Sequence, residues 1–255
     1  MIDMHSHILF GVDDGAKTLE ESMELIREEV KKGVTHIIFT PHFNKRNYHL
    51  NQDKISANFQ ILKEYSEKEN LKVQLYLGNE IYLDSIAYAS IIDNGFYTLA
   101  GSKYVLVEFN ELIPPVNIPE ICYEINMSGY FPIMAHAERY EILYNNTKLL
   151  SEILDEGTHL QVNASSVIKN DNKARNKFTH YLLKNQLISF VASDVHNTVL
   201  RKFHLDEAYK AVTKIYGVEY ADKIFKNNQL NIINNLYFDS PKFLLKKSIL
   251  SKFFG

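Results

Sequence analysis

Residues 1–15 read MIDMHSHILFGVDDG, and this stretch contains the pattern that decides the fold. The short apolar run from Ile2 to Met4 predicts a β-strand. The polar side chains that follow this strand are His5, His7, Asp13 and Asp14. The two histidines are two positions apart, so in an extended segment both side chains point to the same face. The start of the chain therefore predicts a strand with potential metal ligands at its end.

The alternation of strand and helix continues along the chain. Apolar β-branched runs predict further strands at 34–40, 73–77, 104–109, 131–135, 160–162 and 188–192. Amphipathic windows between them predict helices at 54–68, 119–128, 148–156, 172–185 and 203–216, after a first helix that begins at the capping box Thr18-x-x-Glu21. This alternation is typical of a parallel sheet in an α/β domain. About seven strands favour a single-domain β/α barrel, and an open doubly wound sheet is the alternative.

Potential metal ligands recur where these strands end. In parallel β/α folds, the carboxyl ends of the strands and the loops after them carry the chemistry. A single histidine there would usually be structural, but these side chains recur at the same depth of successive units: His5, His7, Asp13, Asp14, His42, Glu80, Glu108, His136, Asn163, Asp194 and His196. Clustered carboxylates repel one another unless cations compensate. Imidazole and carboxylate ligands without sulfur suit Mn²⁺, Fe²⁺ or Zn²⁺, and their number exceeds the needs of one ion.

Composition excludes several other classes of protein. The 255 residues include 28 Lys and Arg against 31 Asp and Glu, a net charge of −3 that does not favour a nucleic-acid partner. The one cysteine, Cys122, rules out a disulfide framework. Because Ser128 stands six positions after it where a cysteine-based tyrosine phosphatase needs an arginine, that mechanism is also excluded. Without a signal peptide or an apolar run of about 18 residues, we expect a cytoplasmic protein with no transmembrane segment.

Several separated sequence blocks resemble a known family. His5-Ser6-His7, His42, Glu80, His136 and Ser193-Asp194-x-His196 resemble the PHP (polymerase and histidinol phosphatase) superfamily. More narrowly, MIDMHSHILFGVDDG, GNEIY, YVLVEF, AHAERY, QVNASS and ASDVHN are similar to the bacterial PHP-type protein-tyrosine phosphatases, which accompany capsule and exopolysaccharide synthesis. The resemblance covers nearly the whole chain. It implies a distorted (β/α)7 barrel that holds three divalent metal ions, with Mn²⁺ the usual activator.

The resemblance also implies a role for each site residue. One ion would take His5, His7, Glu80 and Asp194, a second would take Glu80, Glu108 and His136, and a third would take Asp14, His42 and His196. Asp13 is left out, because two adjacent side chains on a turn cannot easily both face an ion. Arg139 and Arg201 match the phosphate-binding arginines of the family.

The implied activity is manganese-dependent hydrolysis of phosphotyrosine on a protein, with the tail of a bacterial tyrosine kinase as the expected partner. Lys45 and Arg46, in the loop after His42, are hypothesised to dock this tail. Three alternatives stay open: a small-molecule phosphatase such as a histidinol-phosphate phosphatase, a PHP-type nuclease, and a non-catalytic binding module. We expect the barrel to span residues 1–226, and residues 227–255 to form a C-terminal extension packed on the barrel.

Overall fold

The computed structural model describes residues 1–43, 52–83, 95–110, 114, 117–168 and 172–243. Within these ranges the strands are β1 Ile2–Ser6, β2 His36–Phe39, β3 His42–Phe43, β4 Gln74–Leu77, β5 Glu80–Leu83, β6 Tyr104–Phe109, β7 Phe131–Met134, β8 His159–Asn163 and β9 Phe190–Ala192. All of their pairings are parallel. They form a sheet of order β1-β2-β4 and a sheet of order β3-β5-β6-β7-β8-β9.

Two interrupted strands connect these sheets. Only residues 40–41 separate β2 from β3, and only residues 78–79 separate β4 from β5. Pro41 has no N–H and cannot continue the hydrogen-bond ladder. Gly78 allows a close approach, since a Cβ there would lie 2.7 Å from the Leu99 side chain. The short strands β3 and β5 are absent from the sequence prediction, so His42 and Glu80 each begin a strand where a loop was expected.

The segment after the last strand, β9, pairs with the end of the first strand, β1. Ser6 at the end of β1 forms a parallel bridge with Val195, just after β9. The His7 amide donates to the Val195 carbonyl at 2.9 Å, and the Asp194 amide donates to the His5 carbonyl at 2.9 Å. With β2/β3 and β4/β5 each taken as one bent strand, the ladder passes through seven strand positions and comes back to β1. This is the architecture of a distorted β/α barrel.

The six helices that the sequence predicts are present, and the structure adds short helices within the described ranges. Their bounds are α1 Leu19–Lys31, α2 Gln52–Lys68, α3 Asn117–Met127, α4 Thr147–Asp155, α5 Ala164–Ile168, α6 Lys173–Lys184, α7 Leu205–Tyr216, α8 Val218–Asp222 and α9 Asn228–Ile233, with a π-helical turn at Lys223–Asn227. Of these helices, α5, α8 and α9 are the short ones that the sequence did not predict. The Thr18 side chain caps α1 by accepting from the Glu21 amide, as the capping box predicts. The Glu21 carboxylate accepts from the Lys17 amide, one residue earlier than the motif requires.

The core contains two groups of buried side chains. The larger group joins the strands to the helices. The smaller group includes Met4, Leu106, Ile133 and Phe190 from the strands, and Ile232 of α9 packs with them. β1 and β8 are buried along their whole length, which is typical of parallel strands that are covered on both faces.

The described part of the C-terminal region packs on the barrel. The Tyr104 hydroxyl donates to the Leu236 carbonyl at 2.8 Å, and the Phe238 ring lies 4.4 Å from the His159 ring. The Ser240 hydroxyl donates to the Leu154 carbonyl. Residues 244–255 lie outside the described residues, so the predicted extension and its boundary at residue 226 stay predictions. Lys45 and Arg46 also lie outside them. None of the described helices is both long and apolar enough to cross a membrane.

Candidate metal centre

A buried carboxylate, Glu80, lies at the centre of the histidine cluster. One of its oxygens, Oε1, is 2.9 Å from His136 Nε2 and 3.4 Å from His5 Nε2. The other, Oε2, is 3.0 Å from His42 Nδ1 and 3.3 Å from His7 Nε2. Four imidazoles from three parts of the chain therefore surround one carboxylate.

The predicted ligands form overlapping sets. Within each set, one donor atom per residue lies within 4.8 Å of all the others: His7, Asp14, His42 and His196; His5, His7 and Glu80; His42, Glu80 and Glu108. The two remaining predicted ligands adjoin these sets, with His136 Nε2 3.5 Å from Glu108 Oε1 and Asp194 Oδ1 3.5 Å from His5 Nε2. The first set differs from the expected assignment of ligands to ions. His7 lies beside Asp14, His42 and His196, which were expected to hold the third ion, as well as beside His5.

The donor atoms fit a divalent metal. His5 Nε2 and His7 Nε2 face each other at 3.2 Å, and separations of about 3 Å are expected between atoms that share one ion at about 2.1 Å. His136 Nδ1 is buried without a hydrogen-bond partner among the described residues. The mixture of imidazole and carboxylate, without sulfur, suits Mn²⁺, Fe²⁺ or Zn²⁺.

Electrostatics keep the central carboxylates ionised. Burial acts to raise the pKa of Glu80, but the charges of His5 and His42 outweigh burial and hold this pKa well below its usual range. Burial also opposes ionisation of Asp194, and its pKa is nevertheless lowered by His5, Arg139 and Arg201. For His42, burial lowers the pKa, yet Glu80 and Asp14 raise it to about 12. Positive charge from histidine and arginine side chains thus favours the ionised carboxylates, and a divalent cation would supply charge of the same sign.

Two of the predicted ligands have left-handed backbone. His136 has φ +33° and Asp194 has φ +53°. Non-glycine residues adopt this region rarely, at a cost of about 1–3 kcal/mol. Such strained residues are frequent at functional sites, where the surrounding structure holds the backbone in place.

The two predicted phosphate-binding arginines both contact Asp194. Arg139 Nη2 donates to Asp194 Oδ2 at 2.7 Å, and Arg201 Nη2 donates to Asp194 Oδ1 at 2.7 Å. Arg201 Nη1 lies 2.5 Å from His196 Nε2. Both arginine side chains are more than a third exposed, whereas Asp194 is buried. Each guanidinium therefore lies between solvent and the ligand cluster.

With this geometry established, comparison with known proteins identifies the family. The family model described as capsular polysaccharide synthesis, CpsB/CapC, matches residues 1–234. The chain belongs to the CpsB/CapC family. It is 38% identical over 242 residues to the tyrosine-protein phosphatase CpsB of Streptococcus agalactiae. The alignment covers 93% of this chain and 100% of that protein.

Solved structures support the same placement of this CpsB/CapC chain. A crystal structure from the pair YwqE of Bacillus subtilis and CpsB of Streptococcus pneumoniae, described as unique metal-dependent tyrosine phosphatases, matches with a TM-score of 0.87. It is 30% identical and the match covers 97% of this chain and 100% of that chain. Histidinol phosphate phosphatase of Lactococcus lactis matches with a TM-score of 0.57 at 17% identity over 88% of this chain and 94% of that chain, which shows a shared fold alone. The predicted α/β fold and family membership are thereby confirmed.

Asp13, which the sequence prediction excludes from the ligands, supports one of them in this CpsB/CapC protein. Its Oδ2 lies 2.7 Å from His7 Nδ1 and accepts from the His42 amide at 3.1 Å. Its Oδ1 accepts from the Gly15 amide. Carboxylates that bond the outer nitrogen of a metal-binding histidine fix its ring orientation.

Three further polar residues near the ligands were missed or left without a role. Gln161 contacts His5 and the His136 amide, and Asn163 contacts Asp194. The buried Glu138 carboxylate accepts from the backbone N–H of Asn163 and from the Ser166 hydroxyl. The available signal was the motif QVN, which places polar residues at alternate positions of an otherwise apolar strand. Cys122, in contrast, is buried in α3, and burial raises the pKa of its thiol to about 12, as expected for an unreactive core residue.

Proposed function

We propose that this chain is a metal-dependent protein-tyrosine phosphatase that acts through the cluster around Glu80. The convergence of nine predicted ligands from the successive strands carries this proposal. The streptococcal relative at 38% identity is named a tyrosine-protein phosphatase and aligns along its full length. Fold alone would reach only a metal-dependent hydrolase, since one fold hosts many reactions.

The proposed cofactor is a set of three divalent ions, with Mn²⁺ as the activator. The residues proposed to hold them are His5, His7, Asp14, His42, Glu80, Glu108, His136, Asp194 and His196. When bound, such ions lower the pKa of water and neutralise charge on phosphoryl oxygens. Glu80 would serve two ions, because it lies beside ligands proposed for both of them: His5 and His7 for the first, and His136 for the second.

Arg139 and Arg201 are proposed to bind the phosphoryl group. Their planar guanidinium groups have donors spaced for bidentate contact with phosphate oxygens. Both lie at the rim of the cluster, where one edge contacts Asp194 and the rest of the side chain is partly exposed. A phosphate that approaches the cluster from solvent would therefore meet the positive charge of these two guanidinium groups.

Phosphotyrosine suits this arrangement chemically. Its leaving group is a phenolate with a pKa of about 10, so it needs less protonation than the alkoxide that phosphoserine releases. The proposed natural substrate is the phosphorylated tail of a bacterial tyrosine kinase of capsule or exopolysaccharide synthesis. Lys45 and Arg46 remain the residues proposed to dock this tail.

Matched substrates test the proposal. The purified chain with Mn²⁺ is assayed on phosphotyrosine and phosphoserine forms of one peptide, and on histidinol phosphate. We expect kcat/KM to be highest for the phosphotyrosine peptide. Faster turnover of histidinol phosphate would instead favour the small-molecule phosphatase, and equal turnover of the two peptides would remove the tyrosine specificity.

A further inference from the structure

Two buried amide side chains on β8 connect three of the proposed ligands. Gln161 and Asn163 lie two positions apart on this strand, so both side chains point to the same face, and each is at most 2% exposed. Gln161 Oε1 accepts from the His136 amide at 2.7 Å and lies 3.2 Å from His5 Nδ1. Gln161 Nε2 donates to Asn163 Oδ1 at 2.9 Å, and Asn163 Nδ2 donates to Asp194 Oδ2 at 2.6 Å. We call these two side chains the amide relay.

The orientation of both amides is fixed by the groups at the ends of the relay. The His136 backbone N–H can only donate, so the Gln161 atom that faces it is the oxygen. The Gln161 nitrogen must then face Asn163, and Asn163 must offer its oxygen in return. The Asn163 nitrogen is left facing Asp194, whose ionised carboxylate can only accept. Every polar contact in the relay is consistent with this one orientation.

The relay selects which nitrogen of His5 carries its proton. Because Gln161 Oε1 is an acceptor with two lone pairs, it can receive both the His136 amide and a proton on His5 Nδ1. With the proton on Nδ1, the lone pair of His5 is on Nε2. That atom faces the cluster, at 3.2 Å from His7 Nε2 and 3.4 Å from Glu80 Oε1.

Asp194 is held in the same manner at the other end. Its Oδ2 accepts from Asn163 and from Arg139. Its Oδ1 accepts from Arg201 Nη2 and also lies toward the histidines, 3.5 Å from His5 Nε2 and 3.6 Å from His7 Nε2. In both ligands the relay binds the outer atom and leaves the inner atom directed at the cluster.

We propose that Gln161 and Asn163 are positioning residues that set the tautomer of His5 and the rotation of Asp194 for metal binding. This inference rests on the proposed metal-dependent function and deepens it. Hydrogen bonds of this kind orient metal ligands, and their loss costs about 10- to 100-fold in metal affinity. The burial of β8 strengthens the effect, because bulk water does not reach the relay to replace a lost partner.

Mn²⁺ binding to the chelator-treated full chain, measured by calorimetry, provides the first test. Gln161→Met keeps the volume of the side chain and removes both polar groups, so Mn²⁺ affinity should fall about 10- to 100-fold. The matched control is Gln229→Met. Gln229 is equally buried and bonds the Val191 and Ile224 carbonyls, away from the cluster. The control should lose stability but keep its Mn²⁺ affinity.

A spectroscopic test separates positioning from a merely structural role. In the Zn²⁺-loaded chain, ¹⁵N NMR of the histidine rings should show His5 protonated at Nδ1 and bound through Nε2. Gln161→Met should lose this single tautomer. Asn163→Ala cuts the relay beyond Gln161, so it should weaken Mn²⁺ binding through Asp194 and leave the His5 tautomer unchanged.

The outcomes distinguish the inference from the function on which it rests. Wild-type Mn²⁺ affinity and an unchanged His5 tautomer in Gln161→Met would overturn the relay and leave the phosphatase proposal standing. If Gln161→Met fails to fold, unchanged Mn²⁺ affinity in Asn163→Ala overturns the relay just as well. A wild-type chain that binds no metal and does not hydrolyse phosphotyrosine would contradict the proposed function itself.

Discussion

Glu80 is the residue at which four histidine rings of the cluster meet. Glu80→Gln keeps the shape of the side chain and removes the negative charge, so the imidazoles lose their common counterion. We expect at least about a 100-fold loss of phosphotyrosine hydrolysis, since even changes behind a ligand cost about 10- to 100-fold. Metal content and kcat are measured together, with circular dichroism as the control for folding. Wild-type turnover at full metal occupancy would remove Glu80 from the centre.

Arg139 and Arg201 should act mainly on the phosphate. Replacing either with Ala removes a guanidinium from the edge of the ligand cluster and should lower kcat/KM by about 10- to 1000-fold, as expected for lost transition-state or phosphate binding. Because each arginine also donates to Asp194, Mn²⁺ affinity is measured as well, and the metal content at saturating Mn²⁺ should stay unchanged. Lys32→Ala, a change to a lysine that bonds the Phe203 carbonyl, is a suitable control for removal of a cation. Normal kinetics in both arginine variants would place the phosphate site elsewhere.

His159 gives a test of stability that is independent of the metal. It is buried beside the rings of Tyr104, Phe190 and Phe238, and burial lowers its pKa to about 4. The unfolded chain protonates this histidine near pH 6.5, so below that pH the unfolded state binds more protons. Folding stability should therefore fall as the pH decreases from about 6.5 to about 4, with about 2 kcal/mol lost at pH 5.

The variant His159→Gln should lose this part of the acid sensitivity. Denaturant unfolding of wild type and variant at pH 7 and pH 5 measures it. The free energy of unfolding of the variant should decrease less between the two pH values. An identical decrease in both proteins would show that His159 is protonated in the folded state too.

At the scale of elements, the turn after β1 depends on a close approach. A Cβ on Gly15 would lie 1.9 Å from the His7 carbonyl oxygen and 2.7 Å from the His7 Cβ. Gly15→Ala should therefore displace His7, weaken metal binding, and cost about 1–3 kcal/mol of stability, as overpacking does. The matched control is Gly95→Ala, whose Cβ would meet Phe43 at an ordinary 3.8 Å. The melting temperature and the Mn²⁺ affinity of the two variants are compared. Equal melting temperatures and equal Mn²⁺ affinities would contradict the predicted displacement of His7.

The elements also show what sequence could and could not predict. Strong periodic patterns located the longer helices to within one to three residues, as for 172–185 against Lys173–Lys184, but the short helices α5, α8 and α9 were missed. The strands β3 and β5 were missed, because each is a short continuation beyond Pro41 or Gly78 that pairs only in the folded sheet. The expectation that functional residues follow the carboxyl ends of the strands still placed His42 and Glu80 at the correct edge of the barrel. Each short strand continues the bent strand before it, so it ends at that same edge.

At the scale of the whole molecule, strand alternation indicated the barrel and the convergence of its ligands. The roles of Gln161 and Asn163 could not be predicted, because they depend on three other segments that meet at β8 only in three dimensions. The expected grouping of ligands stays a prediction. His7 bridges two sets, a fact that follows from ring positions and not from order along the chain.

The central claim is that the cluster around Glu80 holds the ions on which hydrolysis of phosphotyrosine depends. Elemental analysis of the purified chain, paired with phosphotyrosine peptide hydrolysis before chelation, after chelation and after addition of Mn²⁺, tests it most directly. The account predicts three divalent ions per chain, loss of activity on chelation, and recovery with Mn²⁺. Full activity in a chelated chain with no measurable metal would contradict it.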